Sequence, residues 1–375
     1  MSKRLRLGMV GGGEGAFIGA VHRIAARLDD EYELVAGAFS SSPEVGQRSG
    51  ATLHIAPERC YRDFWQMAQQ ESARDEGIDV VAIVTPNHLH VPVALAFLQQ
   101  GIHVICDKPL CISLEEARQL AEVVSAGEVH FILTHNYSGL PLIREARERV
   151  LRGELGEIRS VEVEYLQDWM SERVELTDNK QARWRGDPAL SGFGCIGDIG
   201  THAWQLARFV SGMEPEAIRC EMLTRVAGRK LDDEIFVDMR YHGGARGRLW
   251  ASQVAAGHEN DLRLRIYGSE ASLTFHQTHP NELWIQSRQS SAKRITRNNG
   301  DCGESSRRVC RTPAGHPEGY LEGFAQIYRE AAIAIRGGDA PLLPGIDDGL
   351  SGMRFIETAQ QSSLQGGLWR PLIAF

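Results

Sequence analysis

Five short runs of Val, Ile and other apolar residues, separated by stretches with helical spacing, occupy the first 135 residues of this chain. The runs cover residues 5–10, 32–39, 78–84, 102–106 and 129–134. Gly, Asp or Pro bounds them, as is typical of buried strands. Strands that alternate with helices predict a doubly wound parallel sheet, and ligands of such sheets bind beyond the carboxyl ends of the strands.

The pattern changes after about residue 136. Apolar and polar residues then alternate with a period of two in several runs, which cover 157–169, 217–226, 233–241, 245–255, 261–268 and 271–275. Such alternation predicts a largely antiparallel open sheet with one face covered by helices. We therefore predict an α/β chain with two domains, a parallel-sheet domain over residues 1–135 and an α+β domain over 136–375. The polar stretch 287–312 is predicted to be a long loop.

Composition excludes several classes of protein. The 49 acidic residues outnumber the 41 basic ones and no block rich in Lys and Arg occurs, so no nucleic-acid partner is expected. No stretch approaches the roughly 18 apolar residues of a membrane-spanning helix. The seven cysteines are dispersed without a Cys-x-x-Cys pair. We therefore expect a cytoplasmic protein with reduced thiols, without a membrane partner or a zinc knuckle.

The sequence "VGGGEGAFIGAVH" stands where the first predicted strand turns into the first helix. Gly11, Gly13 and Ala16 match the G-x-G-x-x-G/A spacing, in which missing side chains allow backbone amides and a helix N-terminus to meet a pyrophosphate. Glu14 and Gly15 lie within the same loop. In this context the motif predicts a Rossmann-type domain that binds a dinucleotide.

The choice of cofactor in such folds depends on the residue after the second strand. An acidic side chain there holds the adenosine ribose of NAD and repels the 2'-phosphate of NADP, whereas an arginine attracts that phosphate. Ser40 follows the strand in this chain, next to two further serines. The sequence therefore predicts NAD or NADP without a preference.

The sequence "TPNHLH" follows the third of the apolar runs. Pro86 ends strand pairing, and Thr85 and Asn87 place small polar groups at the predicted cofactor edge of the sheet. These three residues and His90 are predicted to contact the cofactor. The alternative is that Asn87 caps the following helix. A metal held by His88 and His90 is a weaker alternative, because no Cys, Asp or Glu with ligand spacing lies nearby.

Lys108 follows the next apolar run and therefore reaches the same edge of the sheet. An ammonium there can hydrogen-bond a substrate hydroxyl. The alternative is an ordinary surface lysine at the end of a strand. Asp107 and Pro109 argue against that alternative because they restrict the backbone on both sides. Asp107 and Lys108 are accordingly placed among the cofactor-contacting residues.

The run "SGFGCIGDIGTHAWQLARFV" is predicted to contain a helix after its glycine-rich turn. Asp198 and His202 are four residues apart and would project from one face of that helix. A carboxylate that orients an imidazole allows His202 to take a hydroxyl proton. A purely structural pair and a pair of metal ligands are the alternatives, although the further ligands of a metal site are missing.

The chain resembles the glucose-fructose oxidoreductase / inositol dehydrogenase / MocA family from residue 5 to its carboxyl end. The motifs occur in family order and read "VGGGEGAFIGAVH", "TPNHLH", "CDKP", "HNY", "YLQDW", "WR" and "GDIGTH". The resemblance implies that Lys108 and His202 flank the reacting carbinol, that His202 is the general acid/base and that Asp198 positions the substrate. "YLQDW" and "HNY" are most similar to the branch of levoglucosan, sugar and inositol dehydrogenases.

Two departures from the family pattern stand out. Two extra residues lie between Gly13 and the Ile18-Gly19 pair, so the loop over the pyrophosphate is expected to be longer than usual. The family's Glu-Lys-Pro signature reads Asp-Lys-Pro at 107–109, and the shorter carboxylate puts its contact in doubt.

Strand geometry also suggests residues that face the substrate. Alternation sends Tyr165, Gln167 and Trp169 to one face, and a phenol, an amide and an indole together suit a sugar. Ordinary sheet packing is the alternative for the two rings. Asn136 and Tyr137 follow another strand and are predicted at the active edge.

The predicted activity is hydride transfer between a secondary alcohol of a sugar or cyclitol and a nicotinamide, with His202 accepting the hydroxyl proton and Lys108 polarising the oxygen. Trp184 and Arg185 would close over the nicotinamide, with a surface loop as the alternative. Other functions left open are a cofactor-sensing binding protein and a redox-neutral epimerase or lyase that retains NAD. The resemblance also implies a homo-oligomer, a dimer or tetramer, formed through the sheet of the second domain.

Overall fold

The computed structural model describes residues 3–374, which form two compact units. Unit 1 contains residues 3–136 together with Ala189–Gly192 and Leu321–Met353. Unit 2 contains Tyr137–Pro188, Phe193–Tyr320 and residues 354–374. The sequence had assigned everything after residue 135 to the second domain, whereas two later segments belong to the first unit. Unit 1 is therefore assembled from three separate pieces of chain.

Helices and strands alternate through unit 1, and strands dominate unit 2. The α-helices are α1 (Phe17–Leu28), α2 (Pro43–Thr52), α3 (Phe64–Ser72), α4 (His90–Leu98), α5 (Leu114–Ala126), α6 (Pro141–Leu151), α7 (Lys180–Arg185), α8 (Pro188–Ser191), α9 (Thr201–Ser211), α10 (Glu304–Arg307), α11 (Tyr320–Ile335) and α12 (Ile346–Leu364). The strands are β1 (Leu5–Gly11), β2 (Tyr32–Ala38), β3 (Val80–Val84), β4 (His103–Cys106), β5 (Phe131–Leu133), β6 (Ile158–Leu166), β7 (Pro215–Leu223), β8 (Glu234–Tyr241), β9 (Arg246–Ser252), β10 (Asp261–Gly268), β11 (Ala271–His276), β12 (Glu282–Ser287), β13 (Lys293–Thr296) and β14 (Arg370–Pro371). Within residues 3–374, none of the helices combines the length and apolar character needed to cross a membrane.

The sheet of unit 1 has the order β2-β1-β3-β4-β5, and all neighbouring strands run parallel. This confirms the predicted doubly wound parallel sheet. β3 is buried along its whole length, as expected for a strand whose two faces are both covered. Ser113 caps α5, because its Oγ accepts a hydrogen bond of 3.2 Å from the amide of Glu116. Since all five strands point the same way, the residues that follow them share one edge.

The sheet of unit 2 has the order β13-β12-β11-β10-β6-β9-β8-β7-β14. Its neighbouring strands are antiparallel except for β6 and β9, which pair in parallel. The predicted, largely antiparallel sheet is therefore confirmed.

The predicted loop over 287–312 is wrong in part. β12 reaches into this stretch and β13 lies entirely within it, paired antiparallel with β12. Lys293 and Arg294 are exposed, and Ile295 is the buried residue of β13. A short, charged strand is common at the edge of a sheet, where it discourages pairing with other chains. Its polar composition hides the alternation that marks the inner strands.

Candidate active site

The glycine loop lies between β1 and α1. Gly11, Gly12 and Gly15 have φ values of 82°, 71° and 76°, a region that other residues rarely enter. A Cβ built on Gly19 would lie 2.4 Å from the Cα of Gly12, so this pair makes the close contact between helix and loop. Ala16, the last residue of the predicted G-x-G-x-x-G/A spacing, lies directly before α1, and Gly19 rather than Ala16 makes this contact. The two extra residues of the loop account for this shift.

The start of α1 suits a pyrophosphate. No side chain caps α1, and its first turn contains no acidic residue, so its amides face no competing carboxylate. A cavity of about 520 Å³ is lined by the loop and by residues of α2. Glu14 is exposed and forms an ion pair of 3.2 Å with Arg48, and its amide donates to Oγ of Ser49. The loop is thus fastened to α2, while Gly15 has no neighbouring atom within 4 Å of a built Cβ.

Ser40 lies beyond the carboxyl end of β2, as the sequence predicted. Its Oγ accepts a hydrogen bond of 3.2 Å from the amide of Ser42, whose own side chain caps α2. Both side chains are neutral, so they neither repel nor attract a 2'-phosphate.

Polar side-chain atoms at the carboxyl edge of the parallel sheet include some that are buried and have no hydrogen-bond partner among residues 3–374, and two of them belong to predicted cofactor contacts. They are Oγ1 of Thr85, after β3, and Nδ2 of Asn136, after β5. Buried polar groups are normally paired, so an unpaired one at a ligand edge is a sign of an absent ligand. An amide donor and a hydroxyl fit the carboxamide and ribose of a nicotinamide nucleotide.

Asn87 and His90, both predicted to contact the cofactor, are turned to other partners. Nδ2 of Asn87 donates to the carbonyl of Ser191 at 2.8 Å, so the side chain does not cap the following helix either. His90 is buried, and its ring nitrogens lie 2.7 Å from the carbonyl of Pro109 and 3.1 Å from that of Thr85. Burial lowers the pKa of His90. His90 therefore braces the backbone after β3 and β4, and Pro86 precedes the short turn that begins at Asn87.

Asp107 fixes the backbone at Lys108. Its Oδ1 accepts hydrogen bonds from the amide of Lys108 at 2.9 Å and from the hydroxyl of Thr134 at 2.8 Å. Nε2 of His22 lies 4.0 Å from the same oxygen. Burial lowers the pKa of His22 to about 4, so the ring is neutral at pH 7. The carboxylate that follows β4 thus serves to position the lysine.

The predicted helix that carries Asp198 and His202 begins with a π-helical turn. That turn, Ile196–Gly200, contains Asp198, and α9 follows it directly and contains His202. The predicted helix is therefore confirmed, but its first turn is wound more widely than a regular α-helix. Single π turns are frequent at functional sites because they redirect a side chain.

The carboxylate of Asp232 holds the start of that turn. Its oxygens accept from the amide of Gly194 at 3.0 Å and from the amide of Ile196 at 2.7 Å. Burial raises the pKa of Asp232 to about 6. Asp232 was not found from the sequence because it lies 36 residues from Ile196 in the chain.

The ring of His202 packs against two buried tyrosines of unit 2. Its centroid lies 5.1 Å from that of Tyr137 and 6.1 Å from that of Tyr165. The two tyrosine hydroxyls are 2.7 Å apart. Burial raises the pKa of both tyrosines, so both remain phenols at neutral pH. The imidazole of His202 thus packs against two uncharged aromatic rings.

Asp198 contacts one residue that the sequence analysis named and one that it missed. Nε of Arg185 lies 3.4 Å from Oδ2 of Asp198, and Nε2 of the buried Gln253 donates to the same oxygen at 2.8 Å. The Arg185 guanidinium lies 4.3 Å from the ring of Trp184 and 6.0 Å from that of Trp169. Trp184 and Arg185 therefore belong with the residues around Asp198 in unit 2.

Tyr165, Gln167 and Trp169 are joined through Asn260, another residue that the sequence analysis missed. Oδ1 of Asn260 accepts from Tyr165 at 2.8 Å and from Gln167 at 2.7 Å, and Nε1 of Trp169 donates to Oε1 of Gln167 at 2.9 Å. The predicted grouping of the three side chains is thus present in the structure. We call these four residues the amide network.

No group of His, Cys, Asp and Glu within the described residues has the arrangement of a metal site. The side chains of His88 and His90 contact backbone carbonyls.

Two family models match this chain. Residues 5–135 match the model described as an oxidoreductase family with an NAD-binding Rossmann fold, and residues 143–274 match the GFO/IDH/MocA C-terminal domain. Together they span most of both units, and the first agrees with the parallel sheet and glycine loop of unit 1.

Several known proteins are similar over nearly the whole chain. An oxidoreductase from Sinorhizobium meliloti is 48% identical with a TM-score of 0.91, over 98% of this chain and 100% of that one. An inositol dehydrogenase homolog from Azotobacter vinelandii, solved with NADH and myo-inositol, is 35% identical with a TM-score of 0.93, over 99% and 98% of the two chains. Levoglucosan dehydrogenase from Pseudarthrobacter phenanthrenivorans is 28% identical over 76% of each chain.

The predicted resemblance and branch are confirmed by these matches. The chain therefore belongs to the glucose-fructose oxidoreductase / inositol dehydrogenase / MocA family of NAD(P)-dependent oxidoreductases.

Proposed function

We propose that the protein oxidises a secondary alcohol of a cyclitol or sugar, using NAD or NADP. The carrying observation is the imidazole of His202 packed against the rings of Tyr137 and Tyr165, whose hydroxyls are hydrogen-bonded to each other. The Azotobacter vinelandii homolog was solved in complex with NADH and myo-inositol, which supports this substrate class.

The residues of unit 1 are suited to hold the coenzyme. Gly11 and Gly15 give the loop the left-handed backbone that brings its amides toward a pyrophosphate, and Thr85 and Asn136 offer buried polar atoms that are unpaired among the described residues. The bound nicotinamide supplies the hydride acceptor for the reaction.

The protein's own groups move the proton. His202 takes the proton of the substrate hydroxyl as the carbon loses its hydride and the carbonyl forms. Lys108, fixed by Asp107, donates a hydrogen bond to the same oxygen and stabilises its developing charge. Asp198 lies in the π turn before His202 and accepts a hydrogen bond from Gln253. Its carboxylate positions the substrate. Tyr165, Gln167 and Trp169 offer the polar and aromatic contacts that a polyol ring requires.

The open sheet of unit 2 supports the further proposal of a homo-oligomer, a dimer or tetramer. Phe236 and Trp250 stack at 5.8 Å, and Phe236, Tyr267 and Trp284 are about two-fifths exposed. Exposed aromatic groups of this kind favour an interface between subunits. Sedimentation should show an oligomer, and Phe236→Lys should shift it toward the monomer. A monomeric wild-type protein would contradict this proposal.

Absorbance at 340 nm tests the activity. Wild-type protein with NAD+ or NADP+ should produce reduced coenzyme from at least one member of a panel of inositols and sugars. His202→Ala should lose at least about 100-fold in kcat, the usual contribution of a general acid/base. Its affinity for NADH, measured by fluorescence, should stay within about 2-fold of wild type.

His242→Ala is the matched control, because His242 is an exposed residue of unit 2. Its kcat should match that of the wild type. No change in reduced coenzyme with any substrate would favour a sensor or a redox-neutral epimerase or lyase, and unchanged turnover in His202→Ala would remove the assignment of that residue.

A further inference from the structure

Asp232 accepts hydrogen bonds from three successive amides at the start of the helix formed by the π turn and α9. Its carboxylate oxygens accept from Gly194 at 3.0 Å and from Ile196 at 2.7 Å, and its backbone carbonyl accepts from Cys195 at 2.8 Å. The first amides of a helix lack partners within the helix itself. Asp232 therefore caps this helix, although 36 residues separate it from Ile196 in the chain.

The segment 232–233 is also linked to Asp198. A Cβ built on Gly194 would lie 1.9 Å from the carbonyl oxygen of Asp232, so the backbones of the helix start and of this segment meet directly. The carbonyl of Asp233 accepts a hydrogen bond of 2.8 Å from the amide of Gln253, whose side chain donates to Asp198. These two neighbouring residues thus fix both the start of the helix and the side chain that orients Asp198.

Asp232 is the member without a cationic partner in a run of three acidic residues. Asp233 forms an ion pair of 3.0 Å with Arg229, and Glu234 forms one of 2.7 Å with Arg225. The buried Asp232 forms no ion pair within residues 3–374, and its carboxylate is hydrogen-bonded to backbone amides. Burial raises the pKa of Asp232 from 3.8 to about 6. This carboxylate therefore changes charge close to neutral pH.

The titratable groups that face Asp232 or its neighbour Cys195 are Cys195 itself, Asp198, Cys220, Asp233 and Glu234. Each of the three carboxylates in this set lies within 3.4 Å of an arginine. Burial raises the pKa of both thiols, so they stay protonated at neutral pH and below. Asp232 is thus the carboxylate of this set whose charge depends on hydrogen bonds alone.

Protonation changes what the side chain of Asp232 can hold. An ionised carboxylate only accepts hydrogen bonds, whereas a protonated one converts an oxygen into a hydroxyl donor. Hydrogen bonds to a charged acceptor are also the stronger ones, and the start of a helix favours a negative charge. Loss of the charge therefore weakens the contacts to Gly194 and Ile196, and with them the hold on the π turn that carries Asp198.

We infer that Asp232 is a positioning residue, whose ionised carboxylate keeps the helix of Asp198 and His202 in the arrangement required for turnover and whose protonation lowers kcat/KM. The inference rests on the proposed dehydrogenase function. It adds a group through which pH acts on that site.

The pH profile of kcat/KM tests this inference, with Asp232→Asn as the variant. Asparagine has the shape of the carboxyl group but stays uncharged, so it mimics protonated Asp232. Coenzyme reduction with the best polyol of the panel is measured over roughly pH 5–8.5. The wild type should exceed Asp232→Asn about 10-fold at the alkaline end and less than about 2-fold at the acid end. Half of this change should occur near pH 6.

The ratio of the two proteins cancels the contribution of His202, which both share. Asp301→Asn is the matched control, because Asp301 is an exposed carboxylate of the same unit that pairs with Lys293. Its kcat/KM should follow the wild type at every pH. A ratio of wild type to Asp232→Asn that is the same at every pH overturns the inference, since a purely structural role would give that result.

Chemical denaturation of wild type and Asp232→Asn separates positioning from stability. The folded-state pKa of about 6 lies above the ordinary 3.8, so the folded chain binds this proton more tightly than the unfolded chain. The stability of the wild type relative to the variant should therefore rise as the pH falls from 6 toward 3.8. Its activity relative to the variant should fall over the acid range. Relative stability that falls instead would contradict the inference.

Hydrogen exchange of the wild type tests the same contacts without a variant and without turnover. The peptide 193–199 contains the three amides that Asp232 accepts. After correction for intrinsic exchange rates, its protection should fall about 10-fold from roughly pH 7.5 to pH 5, while that of β9 stays within about 2-fold. Equal protection of the peptide at both pH values overturns the inference.

The outcomes distinguish this inference from the proposed function. Reduction of neither coenzyme by any polyol overturns the dehydrogenase activity, while a loss of protection in acid would still support the hold of Asp232 on the π turn. Turnover with a ratio that does not change with pH overturns the inference and leaves the proposed function in place. Turnover with a ratio that falls in acid, together with reduced protection, supports both.

Discussion

Nε2 of Gln253 donates a hydrogen bond of 2.8 Å to Oδ2 of Asp198. Gln253 follows β9 directly, and its backbone is held on both sides, by the carbonyl of Asp233 at 2.8 Å and by the amide of Met170 at 3.1 Å. The end of the large sheet therefore braces the π turn that carries Asp198. The carboxylate is placed by a residue 55 positions away, rather than by its own helix alone.

Gln253→Leu should lower kcat/KM by about 10- to 100-fold, because it removes a buried hydrogen bond to a charged group. The measurement is NADH formation with the best polyol of the panel. Gln286→Leu, in β12 of the same sheet, is the control and should have little effect. Comparable losses in both variants would indicate general damage to the sheet.

Gly19→Ala should weaken NADH binding at least about 10-fold and reduce stability by about 1–3 kcal/mol, because the new methyl group would meet the backbone of Gly12. The built Cβ lies 2.4 Å from Cα and 2.8 Å from the carbonyl oxygen of Gly12. Fluorescence titration and thermal unfolding measure the two effects. Gly46→Ala in α2 has its nearest neighbour at 3.8 Å and should instead be neutral or slightly stabilising. Similar behaviour of the two variants would argue against the close contact.

Thr134→Val should reduce the free energy of unfolding by about 1–3 kcal/mol. The buried hydroxyl of Thr134 donates to Asp107, and valine removes that donor with little change of shape. Thr134→Ser retains the hydroxyl, so its free energy of unfolding should fall by less. Chemical denaturation measures the difference, and a valine variant as stable as the wild type would show that this hydrogen bond is dispensable.

Acidification should destabilise the protein through His22. Burial lowers the folded-state pKa of His22 from 6.5 to about 4, so between these values the unfolded chain binds the proton and the folded one does not. The contribution of His22 is complete above pH 6.5 and falls as the pH approaches 4, by about 3 kcal/mol at roughly 1.4 kcal/mol per pH unit. Denaturation curves should show a smaller loss over this window for His22→Gln, whereas the exposed His242→Gln should follow the wild type.

Asp232→Ala should lower both stability and kcat/KM, because two buried amides at the start of the π turn lose their acceptor. We expect the free energy of unfolding of Asp232→Ala to be lower than that of the wild type by about 1–3 kcal/mol. Asp232→Asn keeps one acceptor oxygen and should retain more of both properties. If the alanine variant loses stability while kcat/KM stays at the wild-type value, the role of Asp232 is limited to the fold.

The local patterns of the sequence were sufficient for the main elements of both units. Buried runs between turn residues marked the parallel strands, and Ser113 marked the start of α5, because such signals depend only on neighbouring residues. Alternation also predicted that Tyr165, Gln167 and Trp169 lie together, and they do, although β6 ends at Leu166 and hydrogen bonds through Asn260 complete the group.

Tertiary structure decided which residues complete those groups. Asn260 and Gln253 reach Tyr165 and Asp198 only because β10 and β9 pair with β6 on either side. Likewise, the Gly12–Gly19 contact and the return of Leu321–Met353 to unit 1 depend on packing between distant segments. Periodicity reports which face of an element is buried, but not what that face is buried against. The residues that orient this candidate site therefore became visible only once the chain was folded.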